Sequence, residues 1–254
     1  MLSRFINKFR QPPVRYIFII SAMRSGSTLV QHIAGQQDHV LSAGETKIEY
    51  VEPGKLEELR QHVFAYNAIP GADQSRPGWV FLEKCVHDRY LPEMTPIERP
   101  DMRFIFILRR PHASLSSLME LKNWPYTESL ESAAWYYNER PMQMVRLANQ
   151  LKRPENAYFV TYEDFLENTE RHLRGLSAFL KMPDPLKQEY RKQKWTAKLS
   201  LGDVSSNIKT QQVVANERDQ LVELPGEMEQ KLNATFEESC RSLDRICRGQ
   251  HRFS

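Results

Sequence analysis

The stretch FIISAMRSGSTLVQHIAG, residues 18–35, decides how this chain is read. It opens with an apolar run, breaks at Arg24-Ser25-Gly26-Ser27-Thr28 and resumes with apolar residues at helical spacing. A strand that runs through a small-residue loop straight into a helix makes an anion cradle. The first N–H groups of the helix have no intrahelical partner, and its dipole favours negative charge. Gly26 lets the backbone approach a ligand closely, and Ser25, Ser27 and Thr28 add hydroxyl donors. A nucleoside triphosphate loop would read G-x-x-x-x-G-K-[ST], with the lysine reaching the β and γ phosphates. Here Ser27 follows Gly26, and the cation is Arg24, upstream of the glycine. The loop taken alone fits two readings: a site for a diesterified, less charged anion, or a plain helix cap.

Outward from that loop, strand-like and helix-like segments alternate. Residues 16–21, 79–83, 102–108 and 157–160 read as strands, and MRFIFIL at 102–108 is apolar enough for burial on both faces of a parallel sheet. Residues 28–36, 56–66, 112–122, 130–150 and 164–180 read as helices, the last with Leu166, Leu173, Leu176 and Phe179 at helical spacing. Residues 71–77 and 184–202 read as long loops. This alternation predicts an α/β fold: a central parallel β-sheet flanked by helices, a P-loop-like three-layer sandwich. There is no internal repeat and no domain boundary, so residues 1–254 read as one domain. Within it, 1–14 form a basic leader, 15–182 a nucleotide-binding core and 183–254 a C-terminal loop and helices.

Composition narrows the classes. Of 254 residues 41% are apolar and 26% charged, the balance of a globular protein. The net charge of +3 supplies no global basic field, and the expectation is no nucleic-acid partner. Cys85, Cys240 and Cys247 are odd in number and lack metal-ligand spacing, which predicts buried thiols in a reducing compartment and no metal. No apolar run approaches the roughly 20 residues that span a bilayer. The leader MLSRFINKFRQPPV lacks the apolar core of a signal peptide. It reads as a solvated lead-in, with a short helix lying on a membrane surface as the other reading. The expected location is cytoplasmic.

A second stretch bears on the choice left open by the first. After the strand comes Arg109-Arg110-Pro111-His112-Ala113-Ser114-Leu115-Ser116-Ser117, with Pro111 suited to a first helical turn and Ser117 two turns into the helix. An arginine fork with a hydroxyl binds a phosphate by charge-assisted hydrogen bonds.

Together the two stretches resemble the 5′-phosphosulfate loop and the 3′-phosphate site of sulfotransferases that use 3′-phosphoadenosine 5′-phosphosulfate (PAPS). That family's patterns are R-[ST]-G-[ST]-[ST] after the first strand and an arginine with a serine eight residues on after a later one. A third mark, Y-E-D-[FL] before a helix ending in Phe-Leu, is met by Tyr162-Glu163-Asp164-Phe165 and Phe179-Leu180. The marks span residues 16–180 in the family's order. Gly44-Glu45-Thr46-Lys47 is similar to a segment of the tyrosylprotein and bacterial sulfotransferase branch, although that branch often has two consecutive acids and this chain has one.

The resemblance implies roles. PAPS, the cosubstrate, would be held by Arg24, Ser25, Gly26, Ser27, Thr28, Leu29, Arg109, Ser117 and Tyr162, the tyrosine at the adenine end. Glu45 would take the acceptor's proton. Lys84, with Arg24 assisting, would neutralise charge on the sulfonate. His87 is the rival base, because the small-molecule branch uses a histidine after the second strand. Ser206, Asn207 and Lys209 would belong to a closing loop. Trp124, Trp135, Trp195, Tyr136 and Tyr137 are either acceptor-lining or core. The acceptor is expected to be a small-molecule, lipid, glycan or carrier-bound hydroxyl. Two other readings stand beside this one: a small-molecule kinase with a degenerate loop, and an inactive nucleotide-binding relative. The kinase would need an acidic metal ligand at a strand end, and MRFIFIL runs into Arg109 instead.

Overall fold

A computed structural model describes residues 13–121, 126–195, 210–213 and 222–248. Among them a five-stranded sheet runs in the order β2-β3-β1-β4-β5, with every pairing parallel. The strands are β1 (Tyr16–Ser21), β2 (Val40–Ser42), β3 (Val80–Cys85), β4 (Met102–Leu108) and β5 (Ala157–Thr161). Among the described residues the helices of six residues or more are α1 (Ser27–Ala34), α2 (Lys55–Tyr66), α3 (Pro111–Met119), α4 (Leu130–Asn149), α5 (Tyr162–Glu167), α6 (Thr169–Leu180) and α7 (Gly226–Ile246).

Strand alternation splits the core in two. Tyr16, Phe18, Ile20, Phe81, Cys85, Phe104, Phe106 and Phe159 face α2, α4 and α7. Ile17, Ile19, Leu82, Ile105, Ile107 and Val160 face α1, α5 and α6. Each fully buried Phe or Ile contributes about 1.5–3 kcal/mol relative to exposure, and β1, β3 and β4 bury both faces. This is the predicted three-layer arrangement.

The chain leaves β1 in one direction to build β2 and β3 and returns across β1 to build β4 and β5. The sheet therefore has its topological switch at β1, where open α/β sheets bind ligands beyond the carboxyl ends of the strands. In register, Ile19 pairs Lys84 and Ser21 pairs Ile107, while Leu108 pairs Thr161. The residues after these positions therefore converge on one edge.

Three elements depart from expectation. Gly71–Gln74, read as part of a loop, form one helical turn. The single helix over 164–180 is two helices broken at Asn168, whose φ of −121° leaves the helical region. There the Asn168 side chain donates to Asp164 and the Thr169 hydroxyl donates to the Phe165 carbonyl, while the Asn168 N–H still reaches the Asp164 carbonyl at 2.9 Å. The three-residue β2 was not predicted, because three residues are too few to display a period. Among the described residues no helix is long and apolar enough to cross a membrane. The leader up to residue 12, Trp124, Ser206, Asn207 and Lys209 lie outside the described residues.

Candidate active site

The loop after β1 turns on a left-handed residue pair: Arg24 at φ 63° and Gly26 at φ 85°. Gly26 is required twice over. A methyl group there would be strained in that conformation and would lie 2.1 Å from Tyr162 Cδ2. Ser25 donates its hydroxyl to the Ala22 carbonyl at 2.7 Å and so closes the turn. Leu29 gives its N–H to the Gly26 carbonyl at 3.0 Å. Ser27 and Thr28 stand in the first turn of α1, where N–H groups lack helical acceptors.

Two clusters form around this loop. On the β4 side, Arg24 Nε donates to Ser117 Oγ at 2.7 Å and Arg109 Nη1 donates to the Arg24 carbonyl at 3.1 Å. The Arg109 guanidinium lies 4.7 Å from the centre of the Tyr162 ring. The predicted loop, the Arg109–Ser117 pair and Tyr162 are thus one connected group. The Y-E-D-F motif explains itself residue by residue. Tyr162 packs between Gly26 and Arg109, Glu163 accepts from the Arg110 N–H at 3.0 Å, Asp164 holds His172 at 2.8 Å, and Phe165 is buried.

On the β3 side, Lys84 Nζ sits 2.9 Å from Glu45 Oε1 and donates to Thr28 Oγ1 at 3.0 Å. The Glu45 and Lys84 side chains are 10% and 4% exposed, so this pair is shielded from water. Glu45 is partnered by Lys84 rather than by the exposed Lys47. The loop that carries Glu45 is fixed by Gln31 of α1, whose amide donates to Ser42 Oγ at 3.0 Å and to the Gly44 carbonyl at 2.8 Å.

His87 stands three residues beyond Lys84, half-buried. Burial, more than any charge, lowers its affinity for a proton, and Glu45 opposes the shift. It lines a cavity of about 330 Å³ with Asp88, Tyr90, Tyr126, Trp135 and Tyr136. Trp135 is 60% exposed at its rim and stacks on Tyr126, which stacks on Tyr136. Tyr136 also accepts from the Met23 N–H and donates to the Val86 carbonyl, and Tyr137 donates to the Arg109 carbonyl. Trp195 is core: it packs on Gly44 and stacks on His32 at 4.5 Å.

Sequence reading missed Arg140 and Glu83. Arg140 is 1% exposed and donates to the Ser21 and Cys85 carbonyls and to Asp88, so it ties the ends of β1 and β3 to α4. Its signal was an arginine on the buried stripe of a helix that also carries Ala133, Tyr137, Met144 and Leu147. Among the described residues, no three His, Cys, Asp or Glu side chains gather as a metal site would require.

Known proteins give the same architecture. Residues 90–185 match the model of the sulfotransferase family, a segment holding Arg109, Ser117 and Tyr162 but neither the 24–28 loop nor Glu45 and Lys84. No curated protein matches the sequence. Among solved structures, the chain is similar to the sulfotransferase domain from the curacin biosynthetic pathway. They share 17% identity at a TM-score of 0.52, over 96% of this chain and 99% of that one. It is similar to the sulfotransferase domain of the Synechococcus PCC 7002 olefin synthase, at 16% identity and a TM-score of 0.58, over 91% and 96%. A mouse sulfotransferase complexed with PAP is similar at 15% identity and a TM-score of 0.51, over 92% and 89%. The chain therefore has the sulfotransferase fold, and its segment 90–185 matches that family's model.

Proposed function

We propose that this protein transfers a sulfonate group from PAPS to a hydroxyl or amine acceptor, with Glu45 as the base. The observation that carries the reading is the shielded Glu45–Lys84–Thr28 chain at the mouth of a helix-capped anion loop. It puts a cation within hydrogen-bond distance of both a carboxylate and the loop.

The residues fit the cosubstrate. The Gly26 turn lets the Tyr162 ring pack against the loop backbone, and the Ser27 and Thr28 N–H groups and hydroxyls suit the 5′ end. Arg109, Ser117 and Arg24 suit the 3′-phosphate through charge-assisted bonds. Tyr162, against Gly26 and Arg109, supplies the aromatic wall of the nucleotide side. PAPS supplies an activated sulfonate. As its S–O bond to phosphate breaks, a bond from sulfur to the acceptor oxygen forms, and the acceptor proton passes to Glu45. Lys84 answers the charge that develops on the transferred group, with Arg24 secondary because its guanidinium is drawn to Ser117. A positioned base of this kind contributes about 10²–10⁴-fold. Binding of PAP by a structure of the same fold supports the choice of cosubstrate.

The acceptor would enter through the aromatic cavity beside His87, whose volume of about 330 Å³ lies in the range of small-ligand pockets, ~300–1,000 Å³. That position gives His87 a second reading as base, since burial keeps its imidazole neutral and able to take a proton. Sulfonate transfer from PAPS and affinity for adenosine 3′,5′-bisphosphate, measured in Glu45→Ala and His87→Ala, separate the two. Loss of transfer in Glu45→Ala with nucleotide affinity intact supports the proposal. Full activity in Glu45→Ala together with loss in His87→Ala gives the role to the histidine.

A further inference from the structure

With Glu45 and Lys84 assigned, one titratable group beside them has no role. Glu83 sits inside the buried strand VFLEKC, is 2% exposed and faces Phe18 across the ladder. Successive strand residues leave on opposite faces. Lys84 therefore goes with Leu82 toward α1, and Glu83 goes with Phe81 and Cys85 into the core under α2 and α4.

The loop after β2 meets both faces with two consecutive residues of its own. Glu45 pairs with Lys84 at 2.9 Å. Thr46 gives both its N–H and its hydroxyl to Glu83 Oε1, each at 3.0 Å. Glu83 Oε2 is buried and has no hydrogen-bond partner among the described residues. The loop reaches this register only by placing Gly44 at φ 88° and Lys47 at φ 59°, the latter a conformation that an L residue holds under constraint.

We infer that Glu83 is a positioning residue for the base: as a neutral carboxylic acid it pins Thr46 and so sets Glu45 against Lys84, without drawing on the lysine's charge. This rests on the reading of Glu45 as base. A neutral acid accepts both Thr46 donors on its carbonyl oxygen and keeps its proton on Oε2. The groups that bear on it are Glu45 and Tyr50 from the loop and Lys84 and Cys85 from its own strand. Burial makes the Tyr50 phenol and the Cys85 thiol much weaker acids, so both stay neutral, and Lys84 is the cation among the four. Burial pushes the Glu83 carboxyl up to about 8, with Glu45 adding to the shift and the Thr46 donors and Lys84 opposing it. An ionised Glu83 beside an ionised Glu45 would leave this cluster one charge negative, next to a site built to hold anions.

The test uses Glu83→Gln, which keeps an acceptor for Thr46 but cannot ionise, and Glu83→Ala, which removes the pin. At pH 7, Glu83→Ala lowers kcat by about 10²-fold, as expected for a misplaced base, while affinity for adenosine 3′,5′-bisphosphate stays within about twofold. Glu83→Gln restores that kcat and removes the fall in wild-type kcat expected above about pH 8. Wild-type kcat in Glu83→Ala, or a Gln variant as impaired as the Ala variant, overturns the inference. Where Glu83→Ala does not fold, the pH profile of Glu83→Gln decides. If the wild type transfers nothing from PAPS, the reading of Glu45 falls separately. Infrared spectroscopy then judges Glu83: a protonated-carboxyl band present at pH 7 and absent in Glu83→Gln supports the neutral acid, and identical spectra overturn it.

Discussion

The β4 side and the β3 side of the site are built from opposite materials. The first gathers two guanidiniums, a hydroxyl and an aromatic ring around the turn at Gly26. The second gathers one ammonium and two carboxyls, all shielded from water. In the proposed function, the fixed positive charge holds an anion that arrives and leaves, and the buried cluster moves one proton at a defined place. The switch at β1 brings the two together, because β3 and β4 flank β1 on opposite sides of the loop that follows it.

Substitutions that strike one side alone separate the two roles. The largest effect is expected from Glu45→Ala: kcat falls about 10²–10⁴-fold with nucleotide affinity unchanged, measured by steady-state kinetics and calorimetry. A parallel loss of affinity would erase the distinction between the sides.

Stability against pH comes next. The Glu83 carboxyl lies near 8 in the folded protein against an ordinary 4.5, so between these values the native state keeps a proton that the unfolded chain releases. The contribution is fully present below about pH 4.5 and is lost as pH rises through about 8. Urea titration should find the wild type less stable at pH 9 than at pH 5, relative to Glu83→Gln, by on the order of a few kcal/mol. Parallel pH profiles for the two proteins would mean that Glu83 does not hold the proton.

Arg109→Ala should weaken adenosine 3′,5′-bisphosphate by roughly 10–100-fold, the value of one or two charge-assisted bonds, with a smaller effect on kcat. An unchanged dissociation constant would remove Arg109 from the anion side. Gly26→Ala should cost about 1–3 kcal/mol, from the φ of 85° and the contact with Tyr162. Wild-type stability in that variant would show that the Tyr162 ring yields freely. The smallest effect belongs to Trp135→Ala: stability within about 0.5 kcal/mol, because the side chain is largely exposed, and a few-fold rise in acceptor KM.

Much of this could be read from the chain. MRFIFIL announced a strand buried on both faces and YIFIIS a strand, and the structure has β4 at Met102–Leu108 and β1 at Tyr16–Ser21. The RSGST turn is local, so its residues carry their own signal. The link from Arg24 to Ser117, 93 positions apart, is a product of sheet order and lies beyond any local pattern. Glu83 was hidden for a different reason. A glutamate beside a lysine in an apolar strand reads as the edge of the strand until the topology shows that both are buried. Arg140 carried a usable signal, a charge on an apolar helix stripe, which points to a buried partner at a sheet end. Asn168 shows the limit of periodicity: the apolar spacing continues across it while the backbone does not.

The most direct test of the central claim is calorimetric titration of the whole protein with adenosine 3′,5′-bisphosphate, with and without magnesium, and with ATP under the same conditions. The account predicts tight binding of the bisphosphate that does not depend on the metal. Binding of Mg-ATP alone would contradict it, because the 24–28 loop would then hold a triphosphate and the β4 side would not be a 3′-phosphate site.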